Sequence, residues 1–120
     1  MSFANGNNTV KISDDVLTSI IATATLEVEG VHCLNANLAS EIIGKISKKN
    51  AHTGINIINN NSNLTIVINL SIKQNYKIID VCQNVQNKVE TAIKSMTGLN
   101  VEKININVVS VELDKTNKPN

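Results

Sequence analysis

The chain has few of the residue types that mark disulfide-rich, aromatic-rich or phosphate-binding proteins. It contains two cysteines, one proline and no tryptophan, and its aromatic residues are Phe3 and Tyr76. Two cysteines are too few for a disulfide scaffold. All eleven basic residues are lysine, so the chain lacks the bidentate forks that arginine offers to phosphate groups. These absences argue against a small secreted disulfide protein and weaken any phosphate-recognition hypothesis.

The chain also lacks a strong charge of either sign and a long apolar run. Its net charge is +1, so no strong field attracts nucleic acid or anionic lipid. Polar residues interrupt the apolar stretches at every second or third position, which predicts no membrane span. The opening residues, MSFANGNN, show no basic segment followed by an apolar one, which predicts no signal peptide. We therefore expect a cytoplasmic protein.

The chain does have enough apolar residues for one hydrophobic core. Its 120 residues and 42% apolar content fit a single domain, which at this size buries roughly two-thirds of the surface of its unfolded chain. We expect residues 1–8 to be a disordered N-terminal segment. Residues 9–113 are expected to form the domain, and residues 114–120 a C-terminal tail.

The first half of the chain predicts a strand at residues 9–12 followed by a helix. Ser13 has the side chain of an N-cap, and the next two residues are carboxylates, which the helix dipole favours in a first turn. Apolar residues then recur at helical spacing: Val16, Leu17, Ile20, Ile21 and Ala24. We expect Gly30 to end this helix, a short extended piece at residues 31–34, and a weaker helix over residues 38–46.

A β-hairpin is predicted in the middle of the chain. Residues 54–58 lead into the run NNNSN, whose residue types tolerate tight turns. The apolar residues that follow alternate without interruption: Leu64, Ile66, Ile68, Leu70 and Ile72. The opposite face carries Thr65, Val67, Asn69, Ser71 and Lys73. A strand of this kind packs its apolar face and leaves the other face more solvated.

A long helix is predicted over residues 77–97. Lys94 lies in its last turn, where a cation complements the helix dipole, and Gly98 can adopt the left-handed conformation that closes a helix. The expected packing face is an apolar stripe formed by Ile78, Cys82, Val85, Val89, Ala92 and Met96.

The last predicted element is a strand over residues 101–113. Its apolar alternation shifts phase between Val108 and Val109, which predicts a β-bulge. The order of strands and helices favours an α+β fold, a two-layer sandwich in which helices pack on one face of a mixed or antiparallel sheet.

Residues able to perform chemistry do not form a recognisable motif. His32 and Cys33 are neighbours in an extended segment, where successive side chains point to opposite faces, so we do not expect a thiol–imidazole pair. With His52 and Cys82 they lack the spacings of zinc sites. The sequence therefore predicts no catalytic, cofactor-binding or metal-binding residue, and no enzyme.

The one basic cluster allows an alternative function. Lys45, Lys48 and Lys49 lie within GKISKKNAH and could contact phosphates of a nucleic acid. Single-strand binding also uses aromatic stacking platforms, and the chain has almost no aromatic residues. A solvated helix end explains the cluster better, so nucleic acid is the weaker of the expected partners.

Two blocks of sequence carry a family resemblance over residues 9–113. The first is VKISDDVLTSIIATATLEVEGV, a strand followed by an acidic helix start and a Glu-Gly-Val ending. The second runs from GINIINNN to VVSVEL and includes Tyr76, the Val-Gln pair at 85–86 and the MTGL run at 96–99. Together they resemble the alkaline-shock-protein family of Gram-positive bacteria, also called Gls-type envelope-stress proteins. The sequence VSV at 109–111 departs from that family by lacking the glycine of its Val-x-Gly-Val ending.

The resemblance implies a small cytoplasmic protein without catalytic residues or cofactors. It implies a role in alkaline or cell-envelope stress. Because the sequence shows no catalytic motif, we expect the chain to perform this role as a scaffold or adaptor through protein–protein contacts. Some members of the family associate with the membrane through a separate anchor protein, and self-assembly occurs among relatives. The implied partners are therefore another protein, such as a membrane anchor, and further copies of the same chain.

Overall fold

The computed structural model describes residues 2–5, 8–35, 54–60 and 63–112. Within these residues the chain forms six strands and two helices, in the order β-β-α-β-β-β-α-β. The strands are β1 (Ser2–Asn5), β2 (Asn8–Lys11), β3 (Val31–Leu34), β4 (Ile55–Asn60), β5 (Asn63–Lys73) and β6 (Asn100–Glu112). The helices are α1 (Asp14–Leu26) and α2 (Ile78–Thr97).

The main sheet is built around β5. Strands β4 and β3 pair antiparallel with successive parts of one edge of β5, and β6 pairs parallel with it along the other edge. Because parallel neighbours need a crossover connection, α2 connects β5 to β6 across the sheet. The sheet is therefore mixed, which is one of the two arrangements predicted from the sequence.

The hydrophobic core lies between one face of this sheet and the two helices. All five alternating apolar residues of β5, from Leu64 to Ile72, are fully buried. They belong to one cluster with Leu17 and Ile21 of α1 and with the buried side of α2. The α+β two-layer architecture predicted from the sequence is confirmed.

The start of α1 follows its sequence signals, and its end differs from the prediction. Ser13 is the N-cap, and its hydroxyl accepts a hydrogen bond from the Val16 N–H at 3.3 Å. The helix ends at Leu26, several residues before Gly30. Gly30 instead occupies the turn into β3, with a φ of +101°.

The predicted stripe of α2 was partly wrong. Val85 and Val89 are buried as expected, but Ile78 is 40% exposed and Met96 is 68% exposed. The packing face is formed by Val81, Val85, Val89 and Ile93. A row of residues spaced four apart runs at an angle to the helix axis. Where α2 crosses the sheet, this row can stay in contact with the sheet. A stripe that mixes steps of three and four diverges from that row at both ends, so its end residues are exposed.

The closing signals of α2 and the bulge in β6 are confirmed. Gly98 is the C-cap in the left-handed conformation, and Lys94 lies in the last turn. The pairing of β6 with β5 passes from Val108 opposite Leu70 to Ser110 opposite Ser71, so Val109 is the extra residue. A second shift, near Glu102, was not expected from the sequence.

The structure differs from three other expectations. The segment 1–8, expected to be disordered, contains β1, which pairs antiparallel with β2. The hairpin turn is shorter than the five residues expected, since Asn60 already pairs with Asn63. On the outer face of the sheet, Asn69 and Ser71 are buried instead of solvated. The helix expected at 38–46 and the tail at 114–120 lie outside the described residues.

Candidate interaction surfaces

The structure places the sequence's reactive side chains apart from one another. Cys33 lies on β3 opposite Ser71, whereas Cys82 lies on α2. Nε2 of His32 is 3.8 Å from the Glu112 carboxylate, and both side chains are solvent-exposed. Among the described residues, no three His, Cys, Asp or Glu side chains form a group that could hold a metal ion.

The environment of Cys82 opposes nucleophilic activation. Both cysteines are free and partly buried. Burial raises the pKa of the Cys82 thiol, because it disfavours the charged thiolate. An activated cysteine has a lowered pKa instead, so this position has the properties of a small packing residue.

A polar corner forms where α1, β3 and the start of α2 meet. The Tyr76 hydroxyl donates a hydrogen bond to Oε2 of Glu29 at 3.2 Å. The hydrogen bond to this carboxylate, and then its negative charge, raise the pKa of Tyr76. The Tyr76 ring lies over Gly30, where there is no room for a larger residue. The tyrosine that contributed to the family resemblance therefore has a structural role.

The basic cluster cannot be placed on this fold. Lys45, Lys48 and Lys49, together with His52, lie outside the described residues. The nucleic-acid hypothesis therefore stays a prediction from the sequence.

An open groove runs between the two helices on the surface away from the sheet. Its first part has a volume of about 560 Å³ and lies beside the C-terminal end of α1; its second part has a volume of about 350 Å³. The two parts share Glu27, Lys88 and Ala92, so they adjoin. We call this surface the interhelix groove. Its apolar lining residues are Ile20, Ala24, Val28, Ala92 and Met96, and polar residues, among them Glu27 and Lys88, also line it.

The interhelix groove combines an apolar floor with an ion pair. Nζ of Lys88 lies 3.3 Å from Oε1 of Glu27, and both side chains are about half exposed. An exposed pair of this kind contributes roughly 0–1 kcal/mol to stability, so a ligand can displace it at low cost. Met96 projects from the end of the groove, and its flexible side chain suits contact with partners of varied shape. The arrangement suits binding of an apolar segment.

The outer face of the main sheet carries a polar ladder. Nδ2 of Asn107 donates to Oδ1 of Asn69 at 2.8 Å, and Nδ2 of Asn69 donates to the Gly54 carbonyl at 3.4 Å. The hydroxyls of Ser71 and Ser110 lie 2.7 Å apart. These bonds satisfy the polar groups that the central strand buries. The ladder joins neighbouring strands of this sheet and leaves few unpaired polar groups for a ligand.

Strand β6 forms one edge of the sheet. Among the described residues, the only strand that pairs with β6 is β5. The strand is 13 residues long, and its apolar residues are only partly buried. The sequence predicted the strand and its bulge, but its position at an edge follows from the pairing of β5 with three other strands.

Comparison with known proteins identifies the family. The model of the alkaline shock protein family, described as having a "cell envelope-related function", matches residues 2–113. The chain belongs to the alkaline shock protein family. This match confirms the resemblance found in the sequence. The family's description links the chain to a cell envelope-related function. Comparison with solved structures gives no match.

Relatives from two organisms align with most of the length of this member of the alkaline shock protein family. The uncharacterized protein YqhY of Bacillus subtilis (strain 168) is 27% identical over 105 residues, which are 88% of this chain and 78% of the relative. The uncharacterized protein Spy1535 of Streptococcus pyogenes serotype M6 is 29% identical over 111 residues, which are 92% of this chain and 84% of the relative. In the part of the chain that the structure describes, neither helix is long and apolar enough to cross a membrane.

Proposed function

We propose that this member of the alkaline shock protein family acts in the response to cell-envelope stress as a non-enzymatic scaffold or adaptor. The observation that carries the proposal is the match of residues 2–113 to a family with a cell envelope-related function. The placement of the reactive side chains supports it, since the described His and Cys residues do not converge on a cleft. Contact with other proteins is then the means by which the chain acts.

The interhelix groove is the surface we propose for a protein partner. Its floor is formed by apolar side chains of both helices, and it is open to solvent. Glu27 and Glu29 lie on its α1 side, opposite Lys88, which is the one cation among the described residues that line it. The partner that fits best is an amphipathic helix with an apolar face and a basic residue near Glu29. A membrane-anchor protein could present such a helix to a chain in the cytoplasm.

Crosslinking in living cells tests this proposal. A photoreactive amino acid in place of Thr23, an exposed residue lining the groove, should capture a cell-envelope protein identifiable by mass spectrometry. The same amino acid in place of Gln83, exposed on another part of α2, is the control and should not capture that protein. Equal capture at both positions would contradict the groove as the binding surface.

Substitution at the end of the groove separates binding from folding. Met96→Lys places a charge at the apolar edge and should abolish the Thr23 crosslink, because the partner would have to bury an unpaired ammonium. Ser95→Lys adds the same charge in the same turn, outside the residues that line the groove, and should leave the crosslink intact. Retention of the crosslink in the Met96→Lys variant would overturn the proposed contact.

A further inference from the structure

In the part of the chain that the structure describes, one edge of β6 pairs with no other strand, and this open edge lacks most of the features that prevent edge strands from pairing. Residues 104–111, with the sequence ININVVSV, include no charged residue, no proline and no glycine. Natural edge strands are usually short, charged or covered, because an unpaired row of backbone groups is a template for another strand. Over residues 104–111 the bulge at Val109 interrupts this row, and the Ile104 carbonyl already accepts a hydrogen bond from the Gln86 side-chain amide at 3.1 Å. The edge is therefore suited to pair with a further strand.

The register of β6 against β5 fixes which face each side chain occupies. Ile104, Ile106 and Val108 lie opposite the buried residues of β5 and share the helix-covered face. Asn105 and Asn107 lie opposite Val67 and Asn69 on the outer face. After the bulge the outer face continues with Ser110 and Glu112. A partner strand must match this order of faces, including the extra residue.

A second copy of β6, running antiparallel, matches that order in one particular register. With Asn107 opposite Asn107 of the second copy, the doubled position 108–109 on each strand faces the single residue Ile106 on the other. Ser110 then faces Asn105, so outer residues meet outer residues on both sides of the twofold axis. A shift by one residue would place apolar side chains opposite polar ones throughout.

The same register brings opposite charges together twice. Beyond the bulge, Lys103 of each copy lies directly opposite Glu112 of the other, and both lie on the outer face. Glu112 is 43% exposed, and its carboxylate is 3.8 Å from His32 Nε2, so a side-chain rotation brings it to the open edge. The two symmetric Lys–Glu pairs would close the ends of an uncharged central segment.

We propose that two copies of this chain pair through the open edges of their β6 strands in this twofold antiparallel register. The pairing joins two sheets into one continuous sheet, with the helices of both copies on the same face. It adds main-chain hydrogen bonds along the edge and covers the partly exposed Ile104, Ile106 and Val108. The dimer is independent of the interhelix groove, so each surface can be tested while the other is intact.

Charge exchange across the interface tests the register. Lys103→Glu places two glutamates opposite each other at both ends of the dimer, and Glu112→Lys does the same with two lysines. Each single variant should weaken dimerisation by about tenfold or more, because a cross-strand charge pair contributes roughly 0.2–1 kcal/mol and each variant reverses two. The double variant Lys103→Glu/Glu112→Lys restores both attractions and should recover most of the parent affinity. Analytical ultracentrifugation over a concentration series measures these constants.

Two controls separate the interface from general charge effects. Lys77→Glu makes the same change in net charge at an exposed position outside β6 and should leave the dimer intact. Glu112→Lys also removes the contact between Glu112 and His32. His32→Gln removes that contact alone and should have no effect on dimerisation. A monomer at every soluble concentration would overturn the proposal. So would a dimer that neither single variant weakens, or a double variant that dissociates as readily as the singles.

A disulfide across the twofold axis gives a second, independent measurement. In a chain with Cys33→Ser and Cys82→Ala, the substitution Asn107→Cys places two thiols on directly opposed residues, whose Cα atoms lie about 4.5–5.5 Å apart in an antiparallel pair. Oxidation should then give a covalent dimer. Asn105→Cys is the control, because its symmetric copies would be about 13 Å apart along the strands. Equal crosslinking at both positions, or at neither, contradicts the register.

These tests distinguish the dimer from the proposed adaptor function. Loss of groove crosslinking in the Met96→Lys variant with an unchanged dimerisation constant supports both proposals. A groove crosslink in a chain that stays monomeric overturns the dimer alone. A charge-dependent dimer without a groove crosslink overturns the proposed groove contact and supports the dimer.

Discussion

Gly30 connects the end of α1 to β3 under constraints that no other residue type meets. Its φ is +101°, a backbone conformation that L side chains rarely adopt. A Cβ at this position would lie 2.7 Å from Cγ2 of Val81 and 2.9 Å from Cδ2 of Tyr76. The glycine thus lets α2 and the Tyr76 ring approach the turn closely.

Alanine substitution should distinguish backbone strain from steric overlap as the reason why position 30 requires glycine. Gly30→Ala should reduce the free energy of unfolding by about 3 kcal/mol, because backbone strain and steric overlap both act. Gly98→Ala is the matched control, since Gly98 has a φ of +75° but no atom within 4 Å of an added Cβ. We expect about 1 kcal/mol there. Urea denaturation measures both, and equal losses would show that the close approach at Gly30 is unimportant.

The hydrogen bond between Tyr76 and Glu29 should make stability pH-dependent in the alkaline range. The Glu29 carboxylate raises the pKa of Tyr76 above its usual value of 10.0, first by accepting the hydrogen bond and then by its charge. A folded-state pKa above the unfolded one stabilises the fold fully below about pH 10. That contribution is lost as pH rises through the raised folded-state pKa.

Spectroscopic titration can measure this pKa directly. The chain has one tyrosine and no tryptophan, so the phenolate absorbance reports Tyr76 alone. Glu29→Gln should lower the midpoint towards 10.0, because the negative charge is removed. Glu27→Gln, which instead removes the partner of Lys88, should leave the midpoint unchanged. An identical midpoint in the Glu29→Gln variant and the parent chain would contradict the assigned cause.

At the scale of elements, α2 has two apolar rows, only one of which packs on the sheet. The buried row is Val81, Val85, Val89 and Ile93, at intervals of four residues. The other row includes Ala92 and Met96 and faces the interhelix groove. The helix therefore contributes both to the core and to a surface available for binding.

Truncation of one side chain from each row to alanine should show that the two rows contribute differently to stability. Ile93 is fully buried, and Ile93→Ala should cost about 3 kcal/mol through lost burial and a new cavity. Met96 is 68% exposed, and Met96→Ala should change stability by less than about 0.5 kcal/mol. Thermal or urea unfolding of the two variants provides the comparison. A larger loss of stability for Met96→Ala than for Ile93→Ala would support the packing stripe predicted from the sequence.

At the scale of the whole molecule, the strands differ in how many neighbours support them. β5 pairs with β3, β4 and β6 and has a fully buried apolar face. Among the described strands, β1 and β2 pair only with each other. An isolated two-stranded ribbon is marginally stable in water. Opening of the β1–β2 pair should therefore require far less free energy than opening of the central strand.

Amide hydrogen exchange should reveal this difference. We expect amides of β5 to exchange only by global unfolding, whereas amides of β1 and β2 exchange by local opening and much faster. Mass spectrometry of peptides from each region measures both rates in one experiment. Comparable protection of β1 and β5 would show that the N-terminal pair is held by contacts as strong as those of the main sheet.

The sequence by itself determined the features that depend on neighbouring residues. The N-cap at Ser13 and the C-cap at Gly98 follow from local backbone chemistry, and the bulge at Val109 follows from a phase shift in one strand. The uninterrupted alternation in β5 specified which face is buried, because successive residues of a strand point to opposite sides. The family likewise followed from local blocks of sequence.

Only the tertiary structure decided which of several suitable faces and edges were covered. Helical periodicity allows both rows of α2, and the crossing of α2 over the sheet selects the row with Val81 and Ile93. Polar residues on a strand suggest solvent, but Asn69 is buried because its partners, Asn107 and Gly54, come from neighbouring parts of the sheet. The open edge of β6 and the interhelix groove also arise from pairing and packing between distant segments. Such contacts depend on the whole chain and leave no local periodicity in the sequence.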